Sequence, residues 1–228
     1  MNSNESYFTD KETAKIICEQ FLKLYVSLTD LKTKPKSDTN YKKSNGFLNY
    51  WVNFKLIKSI KKEDYTVHDV YDHLESQVFN IDGYDIHLNL ICDIDKDELH
   101  KMNILYNLFE NYGKLNAIKY DNVDEAKQAL YLHSTACCTD YNKAKYICNG
   151  NNKVNNPKFC DKLETFESQY EQLYSEVLQK GSQFSDNLIK LSECPNNKII
   201  TTAVTGTVVG LIPLFGVLYK VSELNIKL

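Results

Sequence analysis

The stretch DIDKDELHKMNILYNLFENYGKL, residues 93–115, carries the clearest helical pattern in the chain. Acidic residues occupy its first turn, where they complement the positive end of a helix dipole. Apolar residues recur every three or four positions and form one stripe: Leu99, Met102, Leu105, Phe109 and Tyr112. The pattern predicts an amphipathic helix that Gly113 ends.

The same spacing recurs on both sides of this segment. TDKETAKIICEQFLKLYVSL begins with a capping-box pattern from Thr9 to Glu12 and predicts a helix over residues 10–31. Its apolar face consists of Ile17, Phe21, Leu24, Leu28 and Leu31. GFLNYWVNFKLIKSI, residues 46–60, restores an apolar face, and TVHDVYDHLESQVF, residues 66–79, predicts a shorter helix.

Three segments have no apolar period and separate these helices. TKPKSDTNYKKSN, residues 33–45, predicts a surface loop or a disordered patch, and NIDGYD, residues 80–85, predicts a turn. CNGNNKVNNP, residues 148–157, predicts a break between a helix over 123–147 and another over 158–180. The stripe of the last helix consists of Phe159, Leu163, Phe166, Tyr170, Leu173 and Val177. These patterns predict an all-α, multi-helix domain whose aromatic stripes form its core.

One run near the end of the chain has a different character. From Ile199 to Tyr219, 21 consecutive residues carry no charge and include no Asn, Gln or His. As a helix this run spans about 30 Å, the hydrocarbon thickness of a bilayer. A buried strand hairpin is the alternative, but the run does not alternate, and a membrane helix tolerates the central Pro213. We therefore expect one C-terminal transmembrane helix.

The flanks of the run agree with a membrane anchor. Lys198 and Lys220 are placed to reach the two interfaces, and Tyr219 supplies an interfacial aromatic ring. The expected organisation is a helical head over residues 1–197, an anchor over 198–220 and a short polar tail over 221–228. Gly206 and Gly210 form a small-xxx-small row that predicts either a weak homodimer through the anchor or simply the usual glycine content of membrane helices.

Composition and motif content argue against several classes of function. Of the 228 residues, 25% are charged and the net charge is -3, which gives no reason to expect a nucleic-acid partner. The five histidines form neither a HExxH motif nor a zinc-finger spacing, so no metal or other cofactor is expected. No nucleophile motif or phosphate loop is present, and we expect the protein not to be an enzyme.

The seven cysteines are Cys18, Cys92, Cys137, Cys138, Cys148, Cys160 and Cys194. They fit either disulfides in an oxidising compartment or several buried free thiols. Cys148 and Cys160 bracket the break between two predicted antiparallel helices, so their side chains are expected to meet and form a disulfide there. The first residues, MNSNESYFTDKETAK, contain no hydrophobic signal region. Either the C-terminal helix is the insertion signal, or export follows another route.

Six motifs, read in order, carry a family resemblance. They are FLNYWVNFKL, CDIDKDELHKMNILYNLFENYGKLNAI, ACCTDYNKAKYIC, KFCDKLETFESQYEQL, LIKLSECPNN and LFGVLYKVSELN. Together they cover nearly the whole chain and resemble the Plasmodium interspersed repeat (PIR) proteins, closest to the vivax-type variant set. The resemblance implies a disulfide-stapled helical variant antigen, exported to the surface or internal membranes of the infected red cell for immune evasion and adhesion to a host receptor.

The resemblance also implies cysteine roles. It implies that Cys92 bonds to Cys137 or Cys138, since adjacent cysteines on a helix point to different sides. The family often has a cysteine just before the LNYW motif, where Asn45 or Gly46 stands in this chain. Its absence would leave Cys18 free. The family also often has a longer tail than VSELNIKL. The alternative to a variant antigen is an intracellular tail-anchored adaptor whose cysteines stay reduced.

Overall fold

The computed structural model describes residues 11–57, 66–78 and 91–195, which form helices joined by turns and short extended segments, without a strand among them. The prediction of an all-α fold is confirmed for this part of the chain. Its elements are α1 (Lys11–Ser27), α2 (Asp30–Thr33), α3 (Thr39–Ile57), α4 (Val67–Val78), α5 (Lys96–Asn116), α6 (Val123–Ile147), α7 (Asn152–Asn155), α8 (Pro157–Gln179), α9 (Ser182–Ser185) and a 3-10 helix (Leu191–Glu193).

The chain divides into two compact units, with the boundary between His100 and Lys101. The first unit contains α1 to α4 and the extended residues 91–95. The second contains most of α5, α6 to α9 and the 3-10 helix. Sequence patterns predicted a single head over residues 1–197 and did not indicate this division.

In the first unit, the apolar face of α1 is buried as its spacing predicts. Ile17, Phe21, Leu24 and Leu28 are all buried, whereas Leu31 is only partly buried and lies in α2. The ring of Phe21 meets Tyr71 of α4 edge to face, with centroids 5.7 Å apart. Edge-to-face aromatic pairs add to the free energy gained by burial alone.

Two buried amides fix the extended residues 91–95 against α3. Asn49 Oδ1 accepts a hydrogen bond from the backbone N–H of Cys92 at 3.0 Å. Asn53 donates to the carbonyl of Cys92 at 2.9 Å and accepts from the N–H of Ile94 at 2.9 Å. Asn53 also donates to the carbonyl of Asn49 at 2.9 Å, one turn earlier in α3. We call Asn49 and Asn53 the amide clamp, because they replace the backbone partners that a neighbouring strand would supply.

Helix α3 begins earlier than the sequence pattern predicts. Residues 33–45 were expected to be a loop, but α3 already starts at Thr39. Asp38 Oδ1 accepts from the N–H groups of Asn40 and Tyr41 at 2.7 and 3.4 Å, and so caps the exposed start of the helix. Tyr41 is buried. Local capping and one buried ring therefore outweigh the missing apolar period.

The helix predicted over residues 10–31 is divided in two. Helix α1 ends at Ser27, and α2 begins at Asp30. The Ser27 hydroxyl donates to the carbonyl of Leu24 at 2.6 Å, and the N–H of Thr29 bonds to the carbonyl of Ser27. These short-range bonds compete with continued helical pairing, which is why the chain turns there.

Gly113 does not end α5, which continues to Asn116. An interior glycine costs a helix about 1 kcal/mol relative to alanine. The added turn places Leu115 in the core, where it is only 1% exposed. Burying a leucine side chain contributes about 1.5–3 kcal/mol, so the longer helix is favoured.

The second unit is built around Phe166 of α8. Its ring is fully buried and meets Phe109 of α5 edge to face, with centroids 5.6 Å apart. Tyr112 and Tyr170 lie against the same ring at 6.5 and 5.7 Å. All six members of the predicted α8 stripe are buried, in agreement with its spacing. Helix α6 has the predicted bounds, while α7 is an additional short helix inside the predicted break.

We predict that Asn53→Ala destabilises the first unit. The substitution leaves the carbonyl of Cys92 and the N–H of Ile94 without their Asn53 partners, at a cost of about 1–3 kcal/mol. Urea unfolding of the full chain in mild detergent, monitored by the circular dichroism of its helices, measures the loss in free energy of unfolding. Asn40→Ala is the matched control, because Asn40 is exposed on the same helix and its removal should cost less than about 0.5 kcal/mol. Equal midpoints for the two variants would contradict the clamp.

Candidate functional site

The first feature of interest is the disulfide at the end of the helical hairpin formed by α6 and α8. Cys148 follows directly after α6, and Cys160 lies in the first turn of α8. Their Cα atoms are 5.6 Å apart, and the sulfurs are bonded. This is the pair that the spacing around the predicted break indicated. The bond closes a loop that contains α7 and Gly150, whose positive φ of 56° suits glycine.

A second disulfide joins Cys138, in the middle of α6, to Cys194, just after the 3-10 helix. The two residues are separated by 56 positions, and their Cα atoms are 5.2 Å apart. It attaches the last described segment to the centre of the hairpin. Nothing in the sequence patterns had paired these two residues, although both were candidates.

The pairing of Cys92 with Cys137 or Cys138 is wrong in this structure. Cys138 is bonded to Cys194, and both Cys92 and Cys137 are free. Cys92 belongs to the first unit, where the amide clamp fixes its backbone and Asn49 donates to its sulfur at 3.1 Å. The adjacent cysteines do have different surroundings, since Cys137 is buried and its sulfur lies 4.0 Å from the carbonyl of Leu108.

Three cysteines of the described residues are free rather than the single one expected. They are Cys18, Cys92 and Cys137. Cys18 is partly buried, and burial followed by the charge of Glu19 raises the pKa of its thiol. Burial also raises the pKa of Cys92, followed by the charge of Asp93, although the Asn49 hydrogen bond opposes this. Burial, followed by the charge of Asp140, raises the pKa of Cys137 far above its ordinary value.

Two hydrogen bonds from side chains to the backbone hold the segment that carries Cys194. The Tyr170 hydroxyl donates to the carbonyl of Ile189 at 2.8 Å. The side-chain amide of Asn142 donates to the carbonyl of Pro195 at 2.9 Å. Asn142 lies one turn beyond Cys138 in α6, so residues 194 and 195 run along α6 toward the end that carries Cys148. Sequence reasoning did not identify Asn142, and no motif marks it.

Two of the described histidines, His133 and His68, have side-chain partners. His133 Nδ1 lies 3.1 Å from Asn111 Oδ1, and burial followed by the charge of Lys114 lowers the pKa of its ring. His68 pairs with Asp72 across one turn at 3.6 Å. Among the described residues, no group of three His, Cys, Asp or Glu side chains is arranged to hold a metal ion.

The predicted anchor lies outside the described residues. This applies to Ile199, Gly206, Gly210, Pro213 and Tyr219, and to the flanking Lys198 and Lys220. Within residues 11–57, 66–78 and 91–195, no helix has the length and apolar character needed to cross a bilayer. The structure therefore assigns geometry to the cysteines of the predicted site and leaves the anchor a prediction.

Comparisons of this chain with protein-family models, curated proteins and solved structures found no match.

We predict that removing either disulfide destabilises the second unit, and that the longer loop costs more. In the chain-entropy treatment, the Cys148–Cys160 loop contributes about 3 kcal/mol and the Cys138–Cys194 loop about 4 kcal/mol. The two double Cys→Ser variants, compared by urea unfolding with the Cys18→Ser control, test this order.

Non-reducing peptide mapping of the unaltered chain should recover both pairs. A map that joins Cys92 to either Cys137 or Cys138 would contradict the assignment.

The free thiols should differ in reactivity. The thiolate is the reactive form, so a buried thiol with a strongly raised pKa reacts slowly at about pH 8. Iodoacetamide should modify Cys18 and Cys92 before Cys137 in the native protein, as read by mass spectrometry. Raising the pH should speed the reaction at Cys18 and Cys92 first, because their thiols ionise at lower pH than that of Cys137. Unfolding in urea with a reductant should abolish the difference in reaction rate among the three thiols. Native Cys137 that reacts as fast as Cys18 would contradict its buried position.

Proposed function

We propose that this chain is a membrane-anchored, helical variant protein of the PIR type, exported by a malaria parasite to the infected red cell. In this proposal residues 1–197 form the head, residues 198–220 hold the single membrane span, and residues 221–228 form a short tail. The head acts by contact with host molecules and by sequence variation, in adhesion and immune evasion. The proposal involves neither catalysis nor a cofactor, and its partners are the membrane and a host receptor or antibody.

The observation that carries the proposal is the pair of disulfides in the second unit. Disulfides persist in oxidising compartments and at cell surfaces, and are uncommon in a reducing cytosol. Cys194 lies only five positions before Ile199, where the uncharged run begins. The chain that leads into the proposed anchor is thus covalently attached to the head. A head of this kind suits display from a membrane.

The six ordered motifs give the proposal its family. They resemble PIR proteins across nearly the whole chain, including the cysteine-containing segments that form both disulfides. Surface and internal membranes of the infected red cell are both included in the proposal. Self-association through Gly206 and Gly210 is a weaker part of it, because glycine is also common in membrane helices that do not associate.

The second candidate function is an intracellular tail-anchored adaptor. The three free thiols favour it, since Cys18, Cys92 and Cys137 are all unbonded in the described part of the chain. In that case the anchor is the same, but the head faces a reducing cytosol. The two candidates therefore differ in the side of the membrane on which the head lies and in the state of Cys138, Cys148, Cys160 and Cys194.

Protease protection on intact infected cells, combined with non-reducing mass mapping, separates the candidates. A variant antigen displayed outside the cell should lose its head to added protease and retain the two disulfides. A variant antigen retained on internal membranes should resist protease but keep both disulfides. Alkylation of all seven cysteines after unfolding in urea without a reductant would instead favour the adaptor.

The anchor has its own test. A chain truncated after Asn197 should be released from membranes by alkaline carbonate, because it lacks the only long uncharged run in the sequence. A chain that lacks only residues 221–228 is the matched control and should remain in the membrane pellet. Retention of the chain truncated after Asn197 would contradict a single C-terminal span.

A further inference from the structure

The end of the α6–α8 hairpin differs in charge from the rest of the chain. We call residues 141–160 the stapled tip; they comprise the end of α6, α7, and the first turn of α8, closed by the Cys148–Cys160 bond. This segment contains four lysines and no Asp or Glu, although the whole chain has a net charge of -3. Its lysines are Lys143, Lys145, Lys153 and Lys158.

The stapled tip also carries the two most exposed large hydrophobic side chains of the described residues. Tyr146 is 77% exposed and Val154 is 79% exposed. Val154 lies inside the loop that the Cys148–Cys160 bond closes, and Tyr146 lies in the last turn of α6, two positions before Cys148. Apolar groups set among lysines form a surface that suits the boundary between lipid headgroups and acyl chains.

Carboxylates next to the tip offset its positive charge. Lys143 pairs with Asp140 at 2.8 Å, and Lys153 pairs with Glu164 at 2.5 Å. These two carboxylates lie outside the tip, as do Asp161 and Glu167, whose charges also act on Lys153. Both lysines are about half exposed, and Glu164 is exposed as well, so solvent screens the attraction. Lys145 lies 5.5 Å from the centroid of the Tyr141 ring.

The direction of the chain brings this tip close to the proposed anchor. Asn142, which binds the carbonyl of Pro195, is itself part of the tip and lies about 9 Å along the helix axis from Cys148. Four residues lead from Pro195 to Ile199, a covalent reach of at most about 14 Å. If the run 199–219 enters a bilayer, the tip is held near the surface that it enters. Such tethering makes even a weak contact effective, because the second contact becomes intramolecular.

We propose that the stapled tip docks on the phospholipid headgroup layer beside the anchor, with Tyr146 and Val154 in the interface and the lysines toward lipid phosphates. The inference rests on the proposed anchor. Tyrosine favours this depth of a bilayer. Lysine ammonium groups act as point charges without bidentate geometry, which suits a field of phosphates better than one shaped site. Anionic lipid strengthens the contact.

A pair of introduced indoles tests the contact in the full chain. In a Trp51→Phe background, Tyr146→Trp reports on the tip, and Tyr131→Trp is the matched control. Tyr131 is also exposed, at 60%, and lies on the same helix about 22 Å from Tyr146 along the axis. The proteins are placed in lipid nanodiscs made of brominated phosphatidylcholine and phosphatidylserine in equal amounts. We expect quenching and a blue shift for the tip indole and neither for the control.

Charge removal supplies the second readout. Lys145→Gln together with Lys153→Gln should weaken the tip contact, by about five-fold in its equilibrium constant for each charge. Lys119→Gln together with Lys127→Gln is the control, since it changes the net charge equally outside the tip. Equal effects of the two pairs, or equal quenching of the two indoles, would overturn the inference.

Failure of the anchor gives a different result from failure of the tip contact. A chain that does not remain with the discs contradicts the anchor, and the same indoles are then compared on vesicles of the same brominated phosphatidylcholine and phosphatidylserine mixture. Equal or absent quenching there also overturns the tip contact, while selective quenching at the tip supports it. A tip indole that lipid leaves unchanged but polyglutamate shifts would assign the surface to an acidic protein instead.

Discussion

The bond between Cys138 and Cys194 is the constraint on which the functional arrangement of the second unit depends. Between α9 and Pro195, the last described residue, the chain contains only a three-residue 3-10 helix, which is too short to hold its own position. The disulfide attaches this segment to the centre of α6, and the hydroxyl of Tyr170 and the amide of Asn142 fix it on either side of the bond. The chain consequently leaves the described region along α6, toward the stapled tip.

The two units hold their non-helical segments by different chemistry. In the first unit, the amide clamp satisfies the backbone of residues 92 and 94 through hydrogen bonds alone. In the second, covalent bonds hold both the hairpin loop and the segment before Pro195. Reduction therefore acts directly on the second unit, while the clamp in the first does not depend on redox state. Cys92 accordingly lies in a segment that hydrogen bonds hold in place, without a disulfide partner.

The same disulfides connect the fold to the two candidate functions. A buried thiol such as Cys137 is compatible with either compartment, because burial and a raised pKa keep it unreactive. Cys138 and Cys194 are more informative, since their bond persists only where reduction is slow. The redox state of the surrounding compartment thus decides whether the segment that carries Cys194 is fixed to α6 or released from it. The position of the stapled tip relative to the segment that carries Cys194 also depends on whether this bond is present.

Periodicity determined most of the helices. The apolar stripes of α1, α5 and α8 predict most of the buried residues on those faces, because helical spacing alone brings them together. Leu31 and Tyr112 are the exceptions, since both are only partly buried. The bounds of α6 and the Cys148–Cys160 pair also follow from local pattern, since a short break between two helices leaves few positions where its ends can meet. The length and uncharged character of residues 199–219 likewise come from sequence, where the anchor remains a prediction.

Tertiary structure decided what local pattern could not. Helix α5 continues through Gly113 because burial of Leu115 outweighs the local glycine cost, and that gain exists only once a core is present. Cys138 bonds to Cys194, and Cys92 rests against Asn49, because packing brings together residues separated by 56 and 43 positions. No local spacing encodes such distances. The two-unit division and the exposure of Tyr146 beside the lysines arise in the same way, from the arrangement of whole helices and from which of their faces find partners.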